Sequence, residues 1–129
     1  MTKPSRARRL TLLVPVAVLA VTSCARADRP PPPEIRAGQP DRGAALITQY
    51  GCGSCHTIPG IDRADGLVGP PLTRFGARSY IAGALVNNAD NLQHWIADPQ
   101  AVEPGTAMPD LGVTPIDAQD IAAYLYTLD

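Results

Sequence analysis

Two cysteines three positions apart with a histidine directly behind them, Cys52-Gly53-Ser54-Cys55-His56, constrain everything on either side. The spacing is that of c-type haem attachment. Each thiol can add across one haem vinyl group, giving two thioethers, and the adjacent histidine then supplies an axial nitrogen to the iron. At five residues three other readings compete: a zinc half-site, a dithiol redox pair and two structural cysteines. The remainder of the chain discriminates among them.

Working outward, 129 residues allow one domain plus an N-terminal segment. Fourteen prolines, eleven glycines and only 5% aromatic residues predict short elements and many loops. A domain of that kind buries little apolar surface by itself, and a large cofactor would supply what the side chains lack. The net charge of −1 hides an asymmetry, because Lys3, Arg6, Arg8 and Arg9 lie in the first ten residues. Without Met1 to Ser23 the chain keeps seven arginines against twelve acidic residues, a net charge of −5. That balance excludes a nucleic-acid partner held by charge, since phosphate contacts need a basic face.

The basic stretch Lys3 to Arg9, the apolar run Leu10 to Val21 and the small residues behind it have the order of a secretory signal. The run is too short to span a hydrocarbon core of ~30 Å as a helix, and Pro15 interrupts it. Val21-Thr22-Ser23-Cys24 resembles the lipobox of bacterial lipoproteins, with Cys24 lipidated as the mature N-terminus. An ordinary signal peptide cut after Ala25 or Ala27 is the competing reading. The segment from Arg26 to Pro40, with Pro30-Pro31-Pro32-Pro33, favours extended polyproline geometry and reads as a tether. The expected organisation is a signal peptide at 1–23, a lipidated tether at 24–40 and a single domain at 41–129. The domain would then sit on the periplasmic side of a bacterial membrane, held by its lipid anchor.

Within the domain, Asp41 is expected to cap a helix from Arg42 to Tyr50 that Gly51 ends. Thr57 to Pro71 is a loop by its glycines and prolines. Short helices are expected over Ser79 to Val86 and Ala89 to Asp98, the latter stopped by Pro99 with Leu92, Trp95 and Ile96 on one face. Gln100 to Val113 reads as loop. Thr114 then caps a last helix with Pro115 in its first position and Asp117 three residues after the cap. Ile121, Tyr124, Leu125 and Leu128 give that helix an apolar stripe. No strand pattern of any length is visible. The fold class is all-α, three to five short helices with long loops.

One axial histidine leaves a second iron position, and a methionine there favours electron transfer and raises the potential. Of the two methionines, Met1 would leave with the signal. Met108 lies in the stiff run Pro104-Gly105-Thr106-Ala107-Met108-Pro109. His94 is the rival ligand, but it falls about 90° or more round the helix from the apolar face and reads as solvated. A zinc site at Cys52 and Cys55 would need two further ligands, with only His56 and His94 to offer. A dithiol pair would want a βαβ context that the pattern lacks.

Together these motifs resemble class I, single-haem cytochrome c over nearly all of Asp41 to Asp129. The resemblance rests on Cys52 to His56, on Gly69-Pro70-Pro71-Leu72, and on Asn91-Leu92-Gln93-His94-Trp95-Ile96-Ala97-Asp98-Pro99 followed by Pro104 to Pro109. Ile121-Ala122-Ala123-Tyr124-Leu125 looks like the family's last helix. The run from Gly51 to Met108 is most similar to the cytochrome c domains fused to subunit II of some bacterial haem–copper oxidases. The resemblance implies the cytochrome c fold around one haem c, bound covalently through Cys52 and Cys55. His56 and Met108 would be the axial ligands, with the Pro70 carbonyl accepting the second ring N–H of His56. Leu72, Trp95 and Ile96 would wall the haem, Arg78 and Thr106 would hold a propionate, and Gly43 and Tyr124 would mark a helix crossing. The domain has no lysine, so a lysine-ringed docking face is not carried over.

The function so implied is electron transfer between respiratory partners, without catalysis at the iron. The donor would be a quinol-oxidising complex or periplasmic dehydrogenase, and the acceptor a terminal oxidase or reductase. The acidic domain surface expects a basic or apolar docking site on those partners. Two alternatives are a haem peroxidase or gas sensor with a displaceable Met108, and a dedicated subunit of one complex in place of a free carrier.

Overall fold

A computed structural model describes residues 37–129. The expected signal peptide, Cys24 and the tether as far as residue 36 lie outside the described residues.

Four α-helices are present among the described residues: α1 (Pro40–Gln49), α2 (Ala89–Ala97), α3 (Pro99–Val102) and α4 (Pro115–Leu125). The all-α expectation holds. α1 begins one residue before Asp41, because the fixed φ of Pro40 suits a first helical position. Gln39, not Asp41, is the N-cap residue, and it offers no side-chain cap. Asp41 sits in the first turn, where a negative charge suits the helix dipole. Gly51, at φ 71°, terminates the helix as expected. Ahead of α1, the Gln39 amide donates to Asp120 Oδ1 at 2.7 Å. A Cβ on Gly38 would meet the Gln119 carbonyl at 2.6 Å, so the residues just before α1 already pack on α4.

α1 and α4 cross at Gly43. A Cβ there would lie 2.0 Å from the Asp120 carbonyl oxygen, so only glycine admits the approach. The element facing Gly43 is the Asp120–Ile121 backbone. Tyr124, expected at this crossing, sends its hydroxyl to the Pro59 carbonyl at 2.7 Å. Arg42 pairs with Asp117 and with Asp120, and the Tyr50 hydroxyl donates to Asp117 at 2.8 Å, tying the two helices beside the crossing.

The helix expected over Ser79 to Val86 is instead a hairpin of β1 (Tyr80–Ile81) and β2 (Leu85–Val86), antiparallel with Ile81 opposite Leu85. Its turn has φ 50° at Ala82 and 81° at Gly83, backbone states that a right-handed helix cannot contain. Asn87 secures it, donating from Nδ2 to the carbonyls of Phe75 and Arg78 and accepting from the Tyr126 hydroxyl. α2 follows with Asn88 as N-cap, and it stops at Ala97. Pro99 does not open a loop, as the sequence reading expected. It takes the first position of α3, and Asp98 caps that helix by accepting from the Ala101 amide at 3.0 Å. α4 starts as read, with Thr114 Oγ1 accepting from the Asp117 amide, but it ends at Leu125, leaving Leu128 in the turn beyond.

The core is shared by Leu46 and Ile47 of α1, Leu92 and Ile96 of α2, and Ala118, Ile121, Ala122 and Leu125 of α4, with Phe75 and Ile81 closing one side. Ile47, Leu92, Ile96, Phe75, Ile81, Ile121 and Leu125 of this core also face a cavity on one side.

Candidate functional site

Cys52 and Cys55 lie on a single 3₁₀ turn (Cys52–Ser54, with Cys55 as its C-cap) that begins where α1 stops. The left-handed Gly51 reverses the chain there, and the Cys55 and His56 amides both donate to the Cys52 carbonyl. The three reactive side chains therefore leave one compact turn. Two more glycines let the following loop fold back over it. A Cβ on Gly53 would lie 2.8 Å from Ala64, and one on Gly66 would lie 2.5 Å from the Cys55 backbone. The Gly66 and Gly69 amides then donate to the carbonyls of Gly53 and Cys55 at 3.1 and 2.8 Å.

His56 is fixed from two sides. Its Nδ1 lies 2.7 Å from the Pro70 carbonyl oxygen. A carbonyl only accepts, so Nδ1 carries the proton and Nε2 carries the lone pair available to a metal. A Cβ on Gly69 would fall 2.3 Å from His56 Cε1, so the ring occupies the space that any other residue at 69 would fill.

A cavity of about 700 Å³ opens beside this turn. Cys52, Cys55, His56, Pro70, Leu72, Arg78, Trp95, Ile96, Thr106 and Met108 all line it. Every site residue read from the sequence within the described residues thus meets at one place, while Cys24 lies outside them. Ile47, Tyr50, Phe75, Leu92, Ile121 and Leu125 add apolar wall that the sequence reading had not assigned to the site. His94 does not line the cavity and is exposed. Arg78 lines the rim, with Nη2 donating to the carbonyls of Pro71 and Thr73 and its guanidinium 5.4 Å from the Phe75 ring centre.

Burial pushes the Cys52 thiol above its ordinary value. That is opposite to the depressed thiol of a dithiol redox pair. No group of three or more His, Cys, Asp or Glu gathers among the described residues, so none of them assembles the ligand set that the zinc reading needs. What remains is a donor set of two thiols, one imidazole with its lone pair on Nε2, and one thioether around a largely apolar space. That set fits haem c.

The sequence reading missed Gln100. It took Gln100 as loop, yet this side chain on α3 bonds three residues of the Met108 segment. The signal was present: Asp98-Pro99 is a cap followed by a first-position proline, a helix start in place of a stop.

The family model described as Cytochrome c matches residues 40–129. Cytochrome c oxidase subunit 2 of Alkalihalophilus pseudofirmus (strain ATCC BAA-2126 / JCM 17055 / OF4) is 37% identical over 89 residues, covering 68% of this chain and 25% of that protein. The Bacillus subtilis (strain 168) protein of the same name is 32% identical over 87 residues, covering 66% and 24%. That of Bacillus sp. (strain PS3) is 41% identical over 68 residues, covering 51% and 19%. The chain thus spans a quarter or less of the length of these curated relatives.

Proposed function

The chain belongs to the cytochrome c family, and from that premise we propose that it is a membrane-tethered carrier passing single electrons to a terminal oxidase. Membership brings covalent haem c attached through cysteines, here Cys52 and Cys55, and electron transfer as the activity. The finer reading is His56 and Met108 as the two axial ligands, export by the segment 1–23, and anchoring through lipid on Cys24.

The observation that carries the ligand assignment is the convergence of Cys52, Cys55, His56 and Met108 on one cavity, with the imidazole tautomer set by Pro70. Bound haem supplies a one-electron Fe(III)/Fe(II) couple. The chain's own part would be to keep the ligand set and surroundings of the iron the same in both oxidation states. His56 would hold the iron through Nε2, with Nδ1–H on the Pro70 carbonyl fixing the ring plane and making the imidazole a stronger donor. Met108, which lines the same cavity, would hold the iron from the other side and leave it no open position for a substrate. The apolar walls exclude water and favour the reduced state, whose net charge is lower.

The oxidase as acceptor is supported by the identity to oxidase subunit 2 over the cytochrome-like part of the chain. The donor would be a quinol-oxidising complex or a periplasmic dehydrogenase. Four arginines, no lysine and ten acidic residues in 37–129 point to a basic or apolar docking face on the partners. No helix among the described residues is long and apolar enough to cross a membrane. The test is a pyridine-haemochrome assay with a redox titration on the purified full chain. One covalent haem per chain with a reversible one-electron couple is expected; absence of covalent haem would overturn the proposal.

A further inference from the structure

We propose that Gln100 is the positioning residue of the methionine side of the site, a side-chain clamp that holds the Met108 segment closed over the cavity. The inference rests on Met108 as an axial ligand. Met108 follows Pro104, Gly105, Thr106 and Ala107 in a stretch that belongs to no helix or strand, so its backbone lacks a ladder to fix it. Gly105 turns at φ 84°, a state that glycine adopts readily. The side-chain bonds that fix the stretch come from one amide. Gln100 Nε2 donates to the Thr106 carbonyl at 2.9 Å and to the Met108 carbonyl at 2.8 Å, and Oε1 accepts from the Gly105 amide at 3.1 Å. Both donors and the acceptor of the side chain are used, on three residues that bracket the turn.

The clamp stands on a fixed base. Pro99 is fully buried, and Asp98 caps the turn by accepting from the Ala101 amide. The Glu103 amide closes it onto the Pro99 carbonyl at 2.9 Å, and the Thr106 amide returns to the Glu103 carbonyl at 3.1 Å. Met108 lines the cavity, and its own carbonyl is one of the clamped groups. The thioether position is therefore set through Gln100, which does not itself line the cavity. The side chain must be this amide. Glutamate at 100 would keep the acceptor for Gly105 but set a carboxylate oxygen against two carbonyl oxygens, and leucine would leave all three backbone groups unpaired.

The experiment measures cyanide binding to the oxidised holoprotein, with four variants beside the wild type: Gln100→Leu, Gln100→Glu, Met108→Ala and Thr114→Ala. The Thr114 change removes the α4 cap, six residues beyond Met108 and outside the cavity lining, and reports loss of stability. Gln100→Leu and Gln100→Glu are expected to keep covalent haem but to bind cyanide roughly tenfold or more faster than the wild type, with a weaker sulfur-to-iron absorption band. Thr114→Ala should bind at the wild-type rate. Wild-type rates in both Gln100 variants, with Met108→Ala fast, would overturn the clamp while leaving the methionine ligand standing. Equal acceleration in Thr114→Ala would also overturn it, by showing that any loss of stability opens the site. A Met108→Ala rate equal to the wild type's would overturn the clamp through its premise.

Discussion

The Nδ1 of His56 lies 2.7 Å from the carbonyl oxygen of Pro70, and the absent side chain of Gly69 leaves the space in which the ring is held. The backbone between Gly69 and Pro70 thus sets both the tautomer and the orientation of the imidazole. Gly69→Ala should force the ring or the loop aside, because its Cβ would come within 2.3 Å of His56 Cε1. A loss of about 1–3 kcal/mol in denaturant unfolding is expected. The reduction potential should rise as the weakened hydrogen bond makes the imidazole a poorer donor. An unchanged potential would show that the Pro70 contact does not tune the iron.

At the crossing of α1 and α4, Gly43→Ala should be the more damaging glycine change. Its Cβ would lie 2.0 Å from a backbone carbonyl oxygen, which has no rotamer by which to yield. A cost of about 3 kcal/mol or more is expected from overpacking. Thermal melts of the holoprotein would check it.

The Asp117 carboxyl is held below its ordinary value by the Tyr50 hydroxyl first, then by Thr114 and Arg42. A depressed folded-state pKa stabilises the protein above the unfolded value of about 3.9 and is lost as pH falls through the folded value. Asp117→Asn should therefore be less stable than the wild type at pH 7. The difference should begin to narrow below about pH 4, where the carboxyl of the unfolded chain takes up its proton, and go on narrowing until the folded carboxylate does so at lower pH. Urea unfolding of both proteins from pH 7 to pH 3 measures it, and a gap that stays constant with pH would refute the assignment.

A lipid anchor on Cys24 would be separable from the redox site. Cys24→Ser should move the holoprotein from the membrane to the soluble fraction with an unchanged absorption spectrum. Retention at the membrane would refute lipid on Cys24 as the anchor.

The candidate site was legible where chemistry narrows residue type. Cys52, Cys55 and His56 stood out by their spacing and Met108 by its setting between prolines, and all four line one cavity; Thr114-Pro115 marked the start of α4 by its cap and first-position proline. The hairpin at Tyr80–Val86 was not legible, because its turn places φ 50° on Ala82, a residue whose identity argues for helix. Asn87 and Gln100 were missed on different grounds. Their roles consist of hydrogen bonds to backbone groups that come within reach only once the loops are folded.

The oxidised absorption spectrum of the wild type beside that of Met108→Ala bears most directly on His56 and Met108 as the ligand pair. A sulfur-to-iron charge-transfer band in the red should be present in the wild type and lost in the variant, together with a lower reduction potential and rapid cyanide binding. Identical spectra and potentials in the two proteins would contradict it.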